Sequence, residues 1–355
     1  MSHFSCIWAC KQITKAILRG SRSRYRSTFQ KRVSLYFTRC YQPPRSVGFS
    51  SCLTESATQK LEDVYKYWSN KFLSHNIGEA DVSANYIVAH VLGHKTIYNL
   101  DAHTLLNQTQ VDKINELCHL RLTGMPVQYV LGEWDFLDLT LTMRPPVLIP
   151  RPETEELALL CIETLLNDIE IERPTVLEIG CGSGALSLSL LKKCPKLQVV
   201  AVDISPTACS LTQENARSLG LMDRICVIQG DFTSDKVQLE LSRLSAFPLI
   251  VSNPPYLTTD ELTGLQSEIK CFEDPTALDG GLDGLDIIKE IILKAPDLLM
   301  TNGHLWMEVS HQQPPLIAKL VQDSHNDICL IEVVKDLFGK DRICHFQKKE
   351  TGKRK

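Results

Sequence analysis

The first 54 residues of this 355-residue chain contain no aspartate and no glutamate, although ten of them are Lys or Arg. Other absences are as informative. None of the 13 cysteines forms a C-x-x-C pair, and no Cys/His cluster has zinc-finger spacing. That excludes a zinc finger and a disulfide framework, and no metal is expected. Scattered, unpaired cysteines instead fit buried thiols in a reducing compartment. No apolar run approaches the roughly 18 residues that a membrane-spanning helix needs. Neither an internal repeat nor a low-complexity segment follows residue 54. What remains is ordinary for a soluble globular protein: 43% hydrophobic and 23% charged residues. The length exceeds one small core and predicts two domains with extras.

The acid-free start is rich in Arg and Ser, as in "KQITKAILRGSRSRYRSTFQKR". Ile13, Ala16, Ile17 and Leu18 make an apolar patch at helical spacing, flanked by Lys11, Lys15 and Arg19. Residues 1–52 thus read as a mitochondrial transit peptide, with cleavage somewhere between Arg39 and Cys52 and the matrix as destination. The alternative is a disordered basic tail that binds RNA or anionic lipid. From residue 55 onward, 28 basic residues face 42 acidic ones, a net charge of −14 against −4 for the whole chain.

Residues 53–126 read as a small helical domain. "TQKLEDVYKYWSNKFLSH" sets Leu61, Val64, Tyr65, Trp68, Phe72 and Leu73 on one face. "DVSANYIVAHVLG" continues the pattern to a stop at Gly93, and "TQVDKINELCHLRLTG" is a third helix ending at Gly124. A substrate-docking role and plain scaffolding both suit this unit. Residues 127–150 change character. Phe136, Leu137, Leu139, Leu141 and Met143 nearly alternate with Asp138, Thr140 and Thr142, which predicts a hairpin linker. A helix opening at Thr154 should run to about Asn167.

From Pro174 the chain alternates strand and helix. "TVLEIG", "LQVVAVDI", "ICVIQGDF", "FPLIVSN" and "GHLWMEVS" read as strands, with "DRICHFQK" as a final edge strand. The fold class is α/β, a doubly wound, mostly parallel sheet whose ligands sit at the carboxyl ends of the strands where strand order reverses.

"LEIGCGSGA" follows a strand and opens a helix. Gly180, Gly182 and Gly184 permit a tight turn and close approach of a ligand to the backbone of Gly180, Cys181, Gly182, Ser183 and Gly184. Asp203 ends the next strand 23 residues after Gly180, near the spacing at which a carboxylate accepts ribose hydroxyls. A nucleoside cofactor is therefore expected, and the glycine pattern alone also admits a dinucleotide. Three features argue against hydride transfer. Glu178 can hold a cationic amino-acid tail through water or backbone. Asp231 can accept from an adenine amino group while Phe232 lies against the ring. Finally, strand "FPLIVSN" leaves through Asn253-Pro254-Pro255-Tyr256, two prolines that stop a strand.

That loop suits methyl transfer to a planar amino group. The nitrogen lone pair is delocalised, so acceptors on both N–H groups help by pushing density toward it. Asn253 offers a side-chain carbonyl, and the Pro254 carbonyl a second acceptor aimed by the rigid di-proline. Tyr256 can stack on the planar group. Together with the glycine loop, these residues resemble class I S-adenosylmethionine-dependent methyltransferases. Adenine N6, cytosine N4 and glutamine side-chain amides remain open as substrates on the loop alone.

The chain beyond the loop narrows the choice. "PRPETEEL" (150–157), "FEDPTALDGGLDGL" (272–285), "MEVSHQQ" (307–313) and "KDLFGKDRI" (335–343) are similar to HemK/PrmC-type release factor glutamine methyltransferases over nearly all of residues 60–347. The resemblance implies S-adenosyl-L-methionine as cofactor and a seven-stranded Rossmann-like sheet over 151–347, followed by a basic tail over 348–355. It also implies N5-methylation of the Gly-Gly-Gln glutamine of release factors, mitochondrial ones given the leader. Gly180 to Gly184, Asp203, Asp231, Phe232 and Asn253 match the family's cofactor site, and Asn253, Pro254, Pro255 and Tyr256 its substrate motif.

Three departures stand out. Phe272-Glu273-Asp274-Pro275 is one residue longer than the family run, Glu308-Val309-Ser310 replaces Glu-Ile-Gly, and Phe232 replaces a Trp. The first two are expected to lie clear of the loops that carry the chemistry. The rival readings are an adenine-N6 DNA or RNA methyltransferase, which the acidic mature chain disfavours, and a silent S-adenosylmethionine-binding module. Neither a nucleic-acid substrate nor a membrane is expected as partner.

Overall fold

The computed structural model describes residues 58–244, 246–324 and 327–350. The expected transit peptide, residues 53–57 and the end of the basic tail lie outside the described residues. Three helices open the described chain: α1 (Leu61–Ser74), α2 (Ala80–Val91) and α3 (Gln108–Leu122). A two-residue bridge, β1 (Gln59–Lys60) with β2 (Leu105–Leu106), ties them. Leu61, Val64, Trp68 and Phe72 form the buried stripe of α1. Leu73, expected on that stripe, is exposed, because one residue after Phe72 is a 100° rotation away. Asn107 and Gln110 cap α3 reciprocally.

Residues 127–150 hold more than a hairpin. A short helix, α4 (Val127–Leu131), precedes β3 (Glu133–Phe136) and β4 (Leu139–Thr142). The turn falls at Leu137, whose φ is +51°. The expected hairpin is present, with β3 and β4 as its arms. Met125 and Trp134 pack against both the helical cluster and the main core, so the two regions share apolar contacts. Buried Arg121 adds a polar tether. It donates to Ser83 Oγ, Gly78 O, Met125 O and Glu268 Oε1.

The remainder is a seven-stranded sheet. Its strands are β5 (Thr175–Ile179), β6 (Gln198–Asp203), β7 (Ile225–Gln229), β8 (Phe247–Ser252), β9 (Leu299–Glu308), β10 (Ile328–Lys335) and β11 (Asp341–Lys348). The order across the sheet is β10-β11-β9-β8-β5-β6-β7, and only the β11 pairings are antiparallel. "DRICHFQK", expected at the edge, is therefore an interior strand, and the edge is β10. Isoleucine and valine alternate weakly along β10, which is half-exposed and carries no sharp periodic signal.

Helices α5 (Pro152–Asn167), α6 (Ala185–Lys193) and α7 (Pro206–Ser218) supply apolar residues to one core. On the other face are α8 (Asp235–Ser242) and α11 (Asp286–Leu298), with α12 (Pro314–Asp323) also contributing there. Two short helices, α9 (Thr259–Gly264) and α10 (Ser267–Phe272), lie between β8 and α11. Alternate residues of the central strands serve the two cores. Leu249 and Val251 of β8 join the first and Ile250 the second, while β6 divides Val199 and Ala201 from Val200 and Val202. Covering both faces is what a parallel sheet demands. The chain runs outward from β5 to β7 and returns to β8, so strand order reverses between β5 and β8. A ligand crevice belongs at their carboxyl ends.

Candidate active site

The glycine loop leaves β5 at this point of reversal. Gly180, Gly182 and Gly184 have φ of +81°, +54° and +84°, a region that costs L-residues about 1 kcal/mol or more. A side chain at Gly184 would meet Leu188 and Thr212 at 3.0–3.2 Å, so this glycine lets α6 pack on α7. Gly182 faces open space, where a ligand can approach the backbone. Thr212 Oγ1 donates to Gly182 O at 3.0 Å, and Asn215 Nδ2 donates to Ser183 O at 2.9 Å. The loop is thus fixed from α7. Cys181 is buried, with its sulfur 3.4 Å from Thr212 Oγ1.

Asp203, the last residue of β6, points back at that loop. Its Oδ2 accepts from Gly182 N at 2.8 Å and its Oδ1 from Ser205 N at 2.9 Å. Burial raises its pKa, and the two backbone donors oppose that rise. Gly230 N donates to Asp203 O, which brings the end of β7 alongside. There Asp231 is exposed. Its Oδ1 accepts from Thr233 N and Oγ1, while Oδ2 has no partner among the described residues. Phe232 belongs to the second apolar cluster and is largely buried, so little of its ring faces solvent.

Glu178 does not reach the crevice. It is fully buried and accepts from Ser187 N and Ser187 Oγ, and burial pushes its carboxyl up to about 8. Its carboxyl group is taken up by Ser187, so the expected hold on a cationic tail would run through water or the backbone.

The Asn253–Tyr256 loop leaves β8 beside the glycine loop; a side chain at Gly180 would stand 3.8 Å from Asn253 O. Asn253 Nδ2 donates to Thr154 Oγ1 at 3.0 Å. Asn253 Oδ1 and Pro254 O have no hydrogen-bond partner among the described residues. Tyr256 OH donates to Glu308 Oε1 at 3.2 Å, and Gln313 Nε2 holds both Tyr256 O and Gly284 O at 2.9 Å. Gly280 and Gly284 press on the carbonyls of Pro255 and Tyr256; no side chain would fit at either.

Glu308 corrects one expectation. Its segment does touch the loop: Thr154 Oγ1 donates to Glu308 Oε2 at 2.8 Å, and Tyr256 to the other oxygen. Glu273, in the other departing run, accepts from Arg151 at 2.7 Å and from Ile149 N at 3.2 Å. It thereby anchors the proline-rich lead-in to α5. Thr154, Glu308, Thr212 and Asn215 escaped notice as site residues, because each acts through a partner distant in sequence.

A methyltransferase small domain model matches residues 158–268, and a PrmC N-terminal domain model matches residues 63–132. The MTRF1L release factor glutamine methyltransferase of Homo sapiens is 42% identical over 320 residues, covering 86% of this chain and 90% of that protein. The chain belongs to the release factor glutamine methyltransferase family. Other members are similar along most of their length. That of Moorella thermoacetica is 38% identical over 62% of this chain and 75% of its own. That of Thermodesulfovibrio yellowstonii is 34% identical over 79% and 96%. A solved protein-(glutamine-N5) methyltransferase (release factor-specific) from Alicyclobacillus acidocaldarius aligns with 57% of this chain and 94% of its own at 24% identity and a TM-score of 0.36. As a member of this family the chain is a methyltransferase that uses S-adenosyl-L-methionine. The crevice fits such a molecule, with open space at Gly182 and a buried carboxylate at Asp203.

Proposed function

We propose that this enzyme methylates N5 of the glutamine in the Gly-Gly-Gln loop of mitochondrial peptide chain release factors, in the matrix. One observation carries the reading: Asn253 Oδ1 and Pro254 O have no hydrogen-bond partner among the described residues, in a loop whose Asn253 backbone lies against Gly180. A primary amide brings two N–H groups to two acceptors, which push electron density onto a nitrogen whose lone pair is delocalised. The same acceptors offset the positive charge that develops on that nitrogen. Tyr256, tethered through its hydroxyl, stacks on the amide plane and holds it in line. No strong base is needed, since the nitrogen's proton becomes acidic as the methyl arrives.

S-adenosyl-L-methionine supplies that methyl as an electrophile on a sulfonium. Gly180, Cys181, Gly182, Ser183 and Gly184 would receive it along their backbone, with Asp203 accepting ribose hydroxyls. Asp231 accepts from an adenine amino group, Phe232 contributes the edge of its ring, and Asn253 borders both ligands. The helical region over 53–126 docks the protein substrate, 127–150 links it, and 151–347 carries the chemistry. Residues 1–52 direct import. The net charge of −14 from residue 55 on disfavours an extended phosphate-binding surface.

The test incubates the purified mature chain with S-adenosyl-L-methionine and a mitochondrial release factor, and mass spectrometry locates the methyl. One methyl on the Gly-Gly-Gln peptide, lost in Asn253→Ala, is expected. Methylated nucleic acid with an unmodified release factor overturns the reading.

A further inference from the structure

Four side chains from three separate segments meet behind the Asn253–Tyr256 loop. Thr154 lies in the first turn of α5, Asn253 and Tyr256 follow β8, and Glu308 ends β9. Glu308 is 1% exposed. It accepts from Thr154 Oγ1 on one oxygen and from Tyr256 OH on the other, and Asn253 Nδ2 reaches Thr154 Oγ1 in turn.

A hydroxyl owns a single proton. Thr154 spends its proton on a carboxylate, which can only accept, so it faces Asn253 with lone pairs alone. Only the NH2 end of the Asn253 amide is welcome there, and Oδ1 must turn the other way. Packing could not make this choice, because the two ends of an amide are nearly alike in shape. A reversed amide would set NH2 against the substrate's NH2. We propose that Thr154 and Glu308 are positioning residues for methyl transfer: they hold the Asn253 carbonyl oxygen toward the substrate amide and steady Tyr256 beside it. The inference rests on the reading of Asn253 as an acceptor for that amide.

The device depends on the charge of Glu308. Burial raises its carboxyl to about 7; Thr154 opposes the rise, Glu153 adds to it, and Arg342 and Tyr256 oppose it. Glu156, itself raised to about 8 by burial, faces the same group from α5. A protonated Glu308 can donate to Thr154, which frees the Thr154 proton for Asn253 Oδ1 and admits the reversed amide. Methyl transfer therefore weakens as pH falls through about 7.

The test compares Thr154→Val, Thr154→Ser, Glu308→Gln and Asn253→Ala with the parent in the full chain, using a release factor as substrate. Thr154→Val should lower kcat roughly tenfold to a hundredfold, as expected for one buried hydrogen bond misdirected. Its KM for S-adenosyl-L-methionine should stay within about twofold, because the glycine loop is untouched. Thr154→Ser should restore most of kcat. The acidic limb of the parent's kcat–pH profile should vanish in Glu308→Gln. Thr154→Val with parental kcat overturns the inference, and so does an acidic limb that survives in Glu308→Gln, which decides the matter if Thr154→Val does not fold. An inactive Asn253→Ala beside a fully active Thr154→Val refutes positioning alone. An active Asn253→Ala removes the acceptor role on which both readings rest.

Discussion

Replacing Asn215 by leucine removes three hydrogen bonds from a site closed to solvent. Asn215 Oδ1 accepts from Thr142 N at 2.7 Å, while Nδ2 donates to Thr142 O at 3.1 Å and Ser183 O at 2.9 Å. The side chain is 0% exposed. Leucine keeps the branched skeleton and leaves no cavity, so the polar loss sets the least cost, to which its greater bulk can only add. Each bond contributes about 1 kcal/mol net, and stranding the Thr142 N–H adds about 1–3 kcal/mol. The total, about 4–6 kcal/mol, rivals the whole stability of a modest domain. Urea unfolding followed by tryptophan fluorescence should show an earlier midpoint with an unchanged m-value. KM for S-adenosyl-L-methionine should rise as well, because Ser183 loses its hold. Asn215→Asp should be worse, since it points a second acceptor at two carbonyls. A loss under about 1 kcal/mol would mean that water replaces the amide, and the idea that α7 pins both hairpin and glycine loop would be wrong.

Two further outcomes follow from single groups. In Gly284→Ala the new methyl would lie 2.5 Å from Tyr256 O at a φ of +71°. Since a backbone carbonyl cannot retreat without moving the loop, kcat should drop about tenfold or more while the fold survives, and an unchanged kcat refutes the backstop role. Glu178 has a folded pKa of about 8 against 4.5 as its ordinary value. Its contribution to stability is full below about 4.5 and is lost as pH rises through about 8. Glu178→Gln should therefore flatten the fall in stability across that window, and an unaltered slope in denaturation midpoints would show that burial of this carboxyl is not the cause.

What could be read from the sequence was whatever is written within a few residues. The apolar runs of β5, β6 and β8 announce a covered parallel sheet, and the glycine spacing with Asp203 announces the crevice. The loop at Asn253 carries the proposed chemistry in plain view, because rigidity and two acceptors lie in four adjacent residues. Long-range pairing was less legible. The alternation in "DRICHFQK" reveals a strand but not its neighbours, and β10 is half-exposed, with no clean period to betray it. The hairpin was legible, but its turn at Leu137, an apolar residue at positive φ, was not. Thr154 and Glu308 stand 154 residues apart, and nothing in either neighbourhood says that one proton passes between them.

The place of β11 has a consequence for the timing of assembly. β11 is the last strand among the described residues, yet it lies between β9 and β10, with Ile343 in register with Glu308. A chain made from its amino terminus outward can complete the glycine loop, Asp203 and Asn253 while β9 still shows a bare edge. The carboxylate behind Tyr256 then sits on that edge until the final residues arrive. A premature stop before Ile343 would spare every residue of the cofactor crevice and still leave Glu308 on a strand without its outer neighbour. Such a transcript is expected to encode an aggregation-prone, inactive protein, although it carries both the glycine loop and the Asn253–Tyr256 loop.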